Sequence, residues 1–528
     1  MTKVFQKRLM IGLACVLLAL LCMKYFWSLF LFPGVPFGYD AGMYRYLFIK
    51  HAQAFPPLSI AVMPPWAESH PLGLFFFSTL LVRAGVPVDS LIGWVWNMFP
   101  VILSCVLAMI FARRNGARLG LLILLVSLLS TVQYQGFLMM YWKVFAAFLF
   151  CILAFDALER RSNVWILFGM LTLAMHQQIG LIFALATASS LLSHSSDRRT
   201  LFSNIGRLAL PFLLGMLWYL PNFEHALSDL WPLLVASLSS AVTLGVLFLA
   251  LSALAVFTVF PKHGHKILLI VCGMIGIALL LLPLTGIAPD FLNHFIRSEA
   301  TPGAFLTIPE YLELSLPLLL LGVFGFLFSF KKEKGRVWQW AVLWCALAVV
   351  SLFFFYRRFL LPLDFFLLPF AALALEKMWM NHDHRYRFLF FGLILAQGWL
   401  LFGQMKTIDP HVERTMLQEF SVLHTVIEPA SQVIVLDVMA PWIVGYLPDN
   451  AVSGPGIFDS QPLSAWQGLL YGTNAEKQTF IEHYPKGTYF YATDVFRAYY
   501  PPEVQTLFSH SCLQPLETLG LYRSVCGL

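Results

Sequence analysis

Long apolar runs recur along this chain from Leu9 to about Gln404, and nothing constrains its fold more. Crossing a bilayer as a helix takes about 20 apolar residues. Backbone polar groups inside lipid must be satisfied internally, which only helices and closed barrels achieve. The runs are continuous rather than alternating, so they predict helices. Of 528 residues, 59% are hydrophobic and 12% charged, about half the usual charged share. That excludes a disordered chain, a disulfide-stapled miniprotein and a cytosolic globular enzyme. Lys plus Arg is 34 against 28 Asp plus Glu. No basic stripe lies outside the apolar segments, which argues against a nucleic-acid partner.

Thirteen crossings are expected: Leu9–Phe32, then 90–112, 117–132, 136–158, 163–175, 177–193, 203–221, 233–260, 267–287, 311–330, 337–356, 359–376 and 388–404. The first follows Lys3, Lys7 and Arg8. It is too long for a signal peptide and lacks a small-residue cleavage site, so it reads as an uncleaved anchor. Positive charge should gather on the cytoplasmic side. With the N-terminus inside, Arg113, Arg114, Arg118, Arg160, Arg161, Arg198, Arg199, Lys331, Lys332 and Lys334 all fall in inner loops. The outer loops hold only Arg45, Lys50, Arg83, Lys143, Arg297, Arg357 and Arg358. Residues 163–193 read as a hairpin, because paired arginines flank both ends. Its first limb, about 13 residues, spans only ~20 Å, which sets the turn at His176-Gln177-Gln178 below the outer surface.

The expected fold class is mainly α: a polytopic membrane domain over 1–405, with a first outer loop at 33–89, and a small α/β domain over 406–528 on the extracytoplasmic side. Within the loop, Pro71 to Val82 is apolar but too short to cross, and reads as a helix along the outer face. In the tail, Val433 to Leu436 and Thr488 to Ala492 read as strands and Ala465 to Tyr471 as a helix. Cys512 and Cys526 would face each other in a hairpin centred on Leu519. An oxidising exterior would join them; the alternative is two unpaired thiols. The location implied is the plasma (inner) membrane.

In so apolar a chain, outer-side polar residues are where chemistry is sought. The first cluster is Phe37-Gly38-Tyr39-Asp40-Ala41-Gly42-Met43-Tyr44-Arg45-Tyr46. Asp40 is placed to take a proton from an attacking hydroxyl. Tyrosines offer apolar walls with polar edges to a sugar ring, and Arg45 a donor to a substrate. The simpler alternative is that Asp40 caps the helix beginning at Ala41, and spacing alone favours the cap. The second cluster is Glu68, Ser69 and His70, suited to acid–base work or, with Asp40, to a divalent cation. Neither a DxD nor an HExxH motif stands in an outer loop, so no resident metal is expected. The third is Tyr356-Arg357-Arg358-Phe359-Leu360-Leu361-Pro362-Leu363-Asp364. Arg presents a planar fork that matches phosphate oxygens; the alternative is snorkelling to headgroups or pairing with Asp364. Lys143, Arg297 and His176 are lesser candidates for the same binding region, and Asn381 to His384 reads as a solvated inner loop.

Together these features resemble the GT-C superfamily of membrane glycosyltransferases, which includes protein O-mannosyltransferases and lipid A aminoarabinose transferases. The resemblance is carried by Gly38-Tyr39-Asp40 in the first outer loop, a surface helix after it, the Arg358-Phe359-Leu360-Leu361-Pro362 run opening a late crossing, and a tail with Trp442, Gly445-Tyr446 and Pro455-Gly456. It implies a sugar donor on a polyprenyl phosphate, a glycan, lipid or protein acceptor, and transfer with inversion by an outer-loop base. By position Asp40 is the base and Arg358 a phosphate ligand with Arg357 beside it. Many relatives have two adjacent acids in this loop, whereas here Ala41 follows Asp40. The expectation is that acid and guanidiniums serve one pocket. The alternatives are a transporter or flippase, or a polymerase or ligase, of lipid-linked saccharides.

Overall fold

The structure, a computed structural model, describes residues 3–54, 72–193, 198–216, 305–332, 336–350, 356–381, 383–455, 458, 461–516 and 520–527. Glu68, His70, Arg297, His382, Gly456, the expected crossings at 233–260 and 267–287 and the end of the one at 203–221 lie outside the described residues. The chain is mostly helical with one small sheet. It divides into two units: Met1–Trp27, Ser69–Leu74 and Asn97–Ile408 form the first, and Ser28–Glu68, Phe75–Trp96 and Asp409–Leu528 the second.

The first unit holds the apolar helices of a membrane protein. Among the described residues, counting the N-terminal helix whole, five helices are long and apolar enough to cross: Arg8–Leu31, Met98–Asn115, Ile308–Phe330, Tyr356–Met380 and His384–Lys406. A sixth arises if Ala117–Leu129 and Thr131–Leu138, bent by 54° at Ser130, make one span. The expected 163–193 segment is two helices, Val164–Met175 and Gln177–Ser193, folded back on each other. The rings of Trp165 and Phe183 lie 6.4 Å apart, and Gly180 packs on Leu173. At another helix end, Arg114 pairs with Asp156 at 2.5 Å and with Glu159, while Arg160 also reaches Asp156 at 2.5 Å. The ends of Met98–Asn115 and Trp142–Glu159 are thereby tied together by their own charges. Between helices, Phe148 stacks on Phe365 at 4.3 Å. Asp383 caps helix His384–Lys406 by accepting from the Arg385 amide at 2.9 Å.

The second unit carries a five-stranded sheet of order β2-β1-β3-β5-β4. Its strands are β1 (Gln432–Val435), β2 (Ala451–Ser453), β3 (Tyr489–Tyr491), β4 (Leu513–Pro515) and β5 (Leu521–Ser524). The first three are parallel, and β5 runs antiparallel to β3 and β4. Val433 to Leu436 are wholly buried, which is why this strand reads as a continuous apolar run: parallel strands are covered on both faces. Trp466, Leu469, Phe480, Ile481 and Phe496 supply the packing on Ile434, Leu436 and Phe490. A capping box between Thr473 and Glu476 opens helix Asn474–Glu482. Cys512 and Cys526 form a disulfide with Cα atoms 5.0 Å apart. The hairpin register pairs Leu513 with Ser524, so its axis falls between residues 518 and 519 rather than on Leu519. The sulfurs meet diagonally.

Candidate functional site

Gly38, at φ +100°, turns the chain into helix Ala41–Gln53. Asp40 stands at its N-cap position, yet its side chain makes no capping hydrogen bond. The cap that spacing favoured is therefore absent as a side-chain interaction. This helix lies in step along the segment that follows β1. The Tyr39 hydroxyl donates to the Val438 carbonyl at 2.9 Å, Arg45 Nη1 donates to the Gly445 carbonyl, and Lys50 pairs with Asp449 at 3.2 Å. Between them Gly42 packs on Trp442 and Gly445 on Gly42. A methyl group at Gly42 would collide with the carbonyl oxygens of Pro441 and Trp442. Glycine is thus required by backbone approaching backbone. The three polar contacts keep an offset of 399 or 400 residues.

Electrostatics follow that seating. Burial and the nearby charges of Asp40 and Asp437 push the Tyr39 hydroxyl up to about 12. Asp437, at the carboxyl end of β1, is raised by burial although Thr493 Oγ1 donates to it at 2.6 Å and the Met439 amide at 2.8 Å. On the helix's buried face His51 stacks on Phe75 at 5.0 Å, and burial lowers it to about 4.

Against the first turns of helix Ala41–Gln53 is a cavity of about 280 Å³, whose wall includes Gly42, Arg45, Asp89, Gly93, Trp442 and Tyr446. Arg45 Nε donates to Asp89 at 2.8 Å, and the guanidinium lies over the Tyr446 ring at 4.8 Å. Arg45, expected to bind substrate, is thus in a wall with its charge already balanced. Asp89, at the start of a short turn, carried no motif that would have singled it out.

The other candidates lie in the first unit. The positive charges of Lys143 and Arg358 both bear on His176, whose Nδ1 is shielded from solvent and has no hydrogen-bond partner. His176 breaks the helical hairpin with extended backbone, Lys143 sits at the start of helix Trp142–Glu159, and Arg358 lies in the turn Tyr356–Phe359. Three expected residues from three segments therefore share one electrostatic neighbourhood. Arg357 points its Nε elsewhere, to the Leu306 carbonyl at 3.2 Å.

One polar centre went unanticipated. Lys24, in the first apolar helix, is 1% exposed and donates to the carbonyls of Ser127, Leu128 and Ser130 at 3.1, 2.9 and 2.7 Å. Gln397 donates to the Leu129 carbonyl at 3.3 Å. Those of Ser127, Leu128 and Leu129 are the carbonyls that the break deprives of helical partners, whereas the Ser130 carbonyl also accepts from the Tyr134 amide at 3.4 Å. Across the break Ser130 caps Thr131–Leu138 by accepting from the Gln133 amide. Asp364 accepts from the Ser130 hydroxyl at 2.8 Å and from Gln133 Nε2 at 2.9 Å. A cation serves the C-terminal end and an anion the N-terminal end, each in the sense the helix dipole favours. The sequence signal was present in Lys24 itself, an ionisable residue inside an apolar run. Asp364 makes these bonds in place of the arginine pairing considered above.

Among the described residues, one group of potential metal ligands is close together: Glu482, Cys512 and Cys526. Its sulfurs are bonded to each other. Neither a protein-family model nor a curated protein matches the chain.

Proposed function

We propose that the chain is an integral membrane glycosyltransferase of the GT-C type, moving a sugar from a polyprenyl-phosphate donor to an acceptor hydroxyl on the extracytoplasmic face. The observation that supports this reading is that the positive charges of Lys143 and Arg358, from two segments, both act on His176, shielded at Nδ1, in a third. Such a positive neighbourhood suits a phosphate. Cations fixed in a low-dielectric site stabilise the charge that develops on a departing phosphate, often the largest single term in a rate. Arg357, next in sequence, remains assigned to the donor phosphate by sequence alone, its Nε being on the Leu306 carbonyl. Asp40 supplies the base, from its place in the first outer loop at the entry to helix Ala41–Gln53. It takes the acceptor proton as the hydroxyl attacks the anomeric carbon and the phosphate leaves. Glu68 and His70 remain assigned to the substrate region by sequence. The reading includes thirteen crossings, a cytoplasmic N-terminus and an extracytoplasmic tail in the plasma membrane. The Cys512–Cys526 disulfide supports that orientation, since such bonds persist in oxidising compartments.

The test is transfer from a synthetic polyprenyl-phosphate sugar by the full chain in lipid nanodiscs. Asp40→Asn should lower the maximal rate by about 10²–10⁴ with donor affinity intact. Arg358→Lys should weaken donor affinity about tenfold, because the fork geometry is lost. A fully active Asp40→Asn removes the base; an Arg358→Lys that lowers only the maximal rate removes the phosphate role. A tail reporter that reads as cytoplasmic overturns the topology.

The broken helix at Ser130 favours a second reading, a transporter or flippase, because discontinuous helices often build substrate sites. Here the orphaned helix ends are satisfied by Lys24, Gln397 and Asp364. That makes the break a scaffold rather than a vacancy, and transfer remains the better-supported reading.

A further inference from the structure

The cavity against helix Ala41–Gln53 has a character of its own. Arg45 is its strongest charge, and Asp89 neutralises it at 2.8 Å. Nε and one Nη1 hydrogen are committed, to Asp89 and to the Gly445 carbonyl, leaving three of the guanidinium's five N–H donors. Asp89 keeps its other carboxylate oxygen for a donor and is largely exposed. Trp442 lines the cavity as an aromatic wall; it is wholly buried, and its indole Nε1, closed to solvent, meets no acceptor. Such a donor is normally satisfied when buried. Tyr446 adds an aromatic wall. At about 280 Å³ the space lies at the lower edge of the ~300–1,000 Å³ that hold drug-sized ligands, so it fits one ring.

Donors and an acceptor around aromatic walls, with no net charge, match a molecule whose edge is hydroxyls and whose faces are C–H. An anion would meet Asp89; a cation would meet Arg45. We infer that this cavity binds a neutral, hydroxyl-rich ring, the terminal sugar of a glycan acceptor. The ring's role as acceptor rests on the transferase reading, whereas its binding does not. Of the acceptor classes the sequence left open, this chooses the glycan.

A panel of methyl glycosides (gluco-, galacto-, manno-, xylo- and arabinopyranosides) titrated against the full chain in phosphatidylcholine nanodiscs, followed by saturation-transfer NMR, tests it without turnover. At least one should bind saturably, and inorganic phosphate should not compete. A Cβ at Gly93 meets nothing within 4 Å, so Gly93→Val should fold and weaken binding at least tenfold by narrowing the cavity. Trp442→Phe replaces the indole wall by a smaller phenyl and should weaken binding three- to tenfold. Absence of saturable binding across the panel overturns the inference, as does binding indifferent to both Gly93→Val and Trp442→Phe, or binding that phosphate displaces. An active Asp40→Asn would fell the transferase reading while leaving these results in place.

Discussion

At the scale of single residues, the second unit depends on groups that tolerate little change. His51 is 8% exposed and stacked on Phe75, and burial lowers it from 6.5 to about 4. The unfolded chain therefore takes up a proton that the folded one resists. Stability is whole above about pH 6.5 and falls as pH drops toward 4, by about 3 kcal/mol. Thermal melts of the detergent-solubilised chain at pH 7 and pH 4.5 should show the drop, and His51→Gln should flatten it; an equal pH response in both would discard this account. Gly42→Ala should cost at least ~3 kcal/mol, toward the upper range for overpacking, because the obstacles are carbonyl oxygens of Pro441 and Trp442 rather than pliable side chains. A melt within a degree of the parent would mean that the two backbones do not meet.

At the scale of elements, the break at Ser130 is the costly feature. Lys24→Met would strand the carbonyls of Ser127 and Leu128 and leave Asp364 without its cation. Each buried acceptor so stranded costs about 1–3 kcal/mol. The double variant Lys24→Met/Asp364→Leu should lose less than the sum of the singles, and strict additivity in the melts would deny the coupling. Elements were legible wherever their pattern is local. The apolar runs, the arginine pairs around 163–193 and the stretch Val433 to Leu436 each state their structure in consecutive residues. Lys24 was conspicuous as a charge in an apolar helix, but its partners are backbone carbonyls more than a hundred residues away, and carbonyls have no residue type to read. Asp89 was invisible for a related reason: only Arg45, brought to it by folding, gives it a role.

At the scale of the whole molecule, the tail was expected to begin a separate domain at residue 406. The second unit instead takes in Ser28–Glu68 and Phe75–Trp96 along with Asp409–Leu528. No periodicity announces such a union, because it is written in side chains that meet backbone carbonyls 399 or 400 positions away. Within this unit the disulfide fastens the edge hairpin β4–β5 across 14 residues. Replacing both cysteines by Ser should cost about 3 kcal/mol for so short a loop. Hydrogen exchange should quicken in β4 and β5 first; uniform quickening through β1 would show that the bond braces the sheet as a whole. The long offset also has a consequence in time. Chains grow at ~5–20 residues per second, so roughly 20–80 s separate emergence of helix Ala41–Gln53 from that of the turn that seats it. Throughout that wait Tyr39 has no Val438 to bond and Gly42 no backbone to meet. Whatever shelters nascent segments from proteases and from one another must tend this one until the last quarter of the polypeptide arrives.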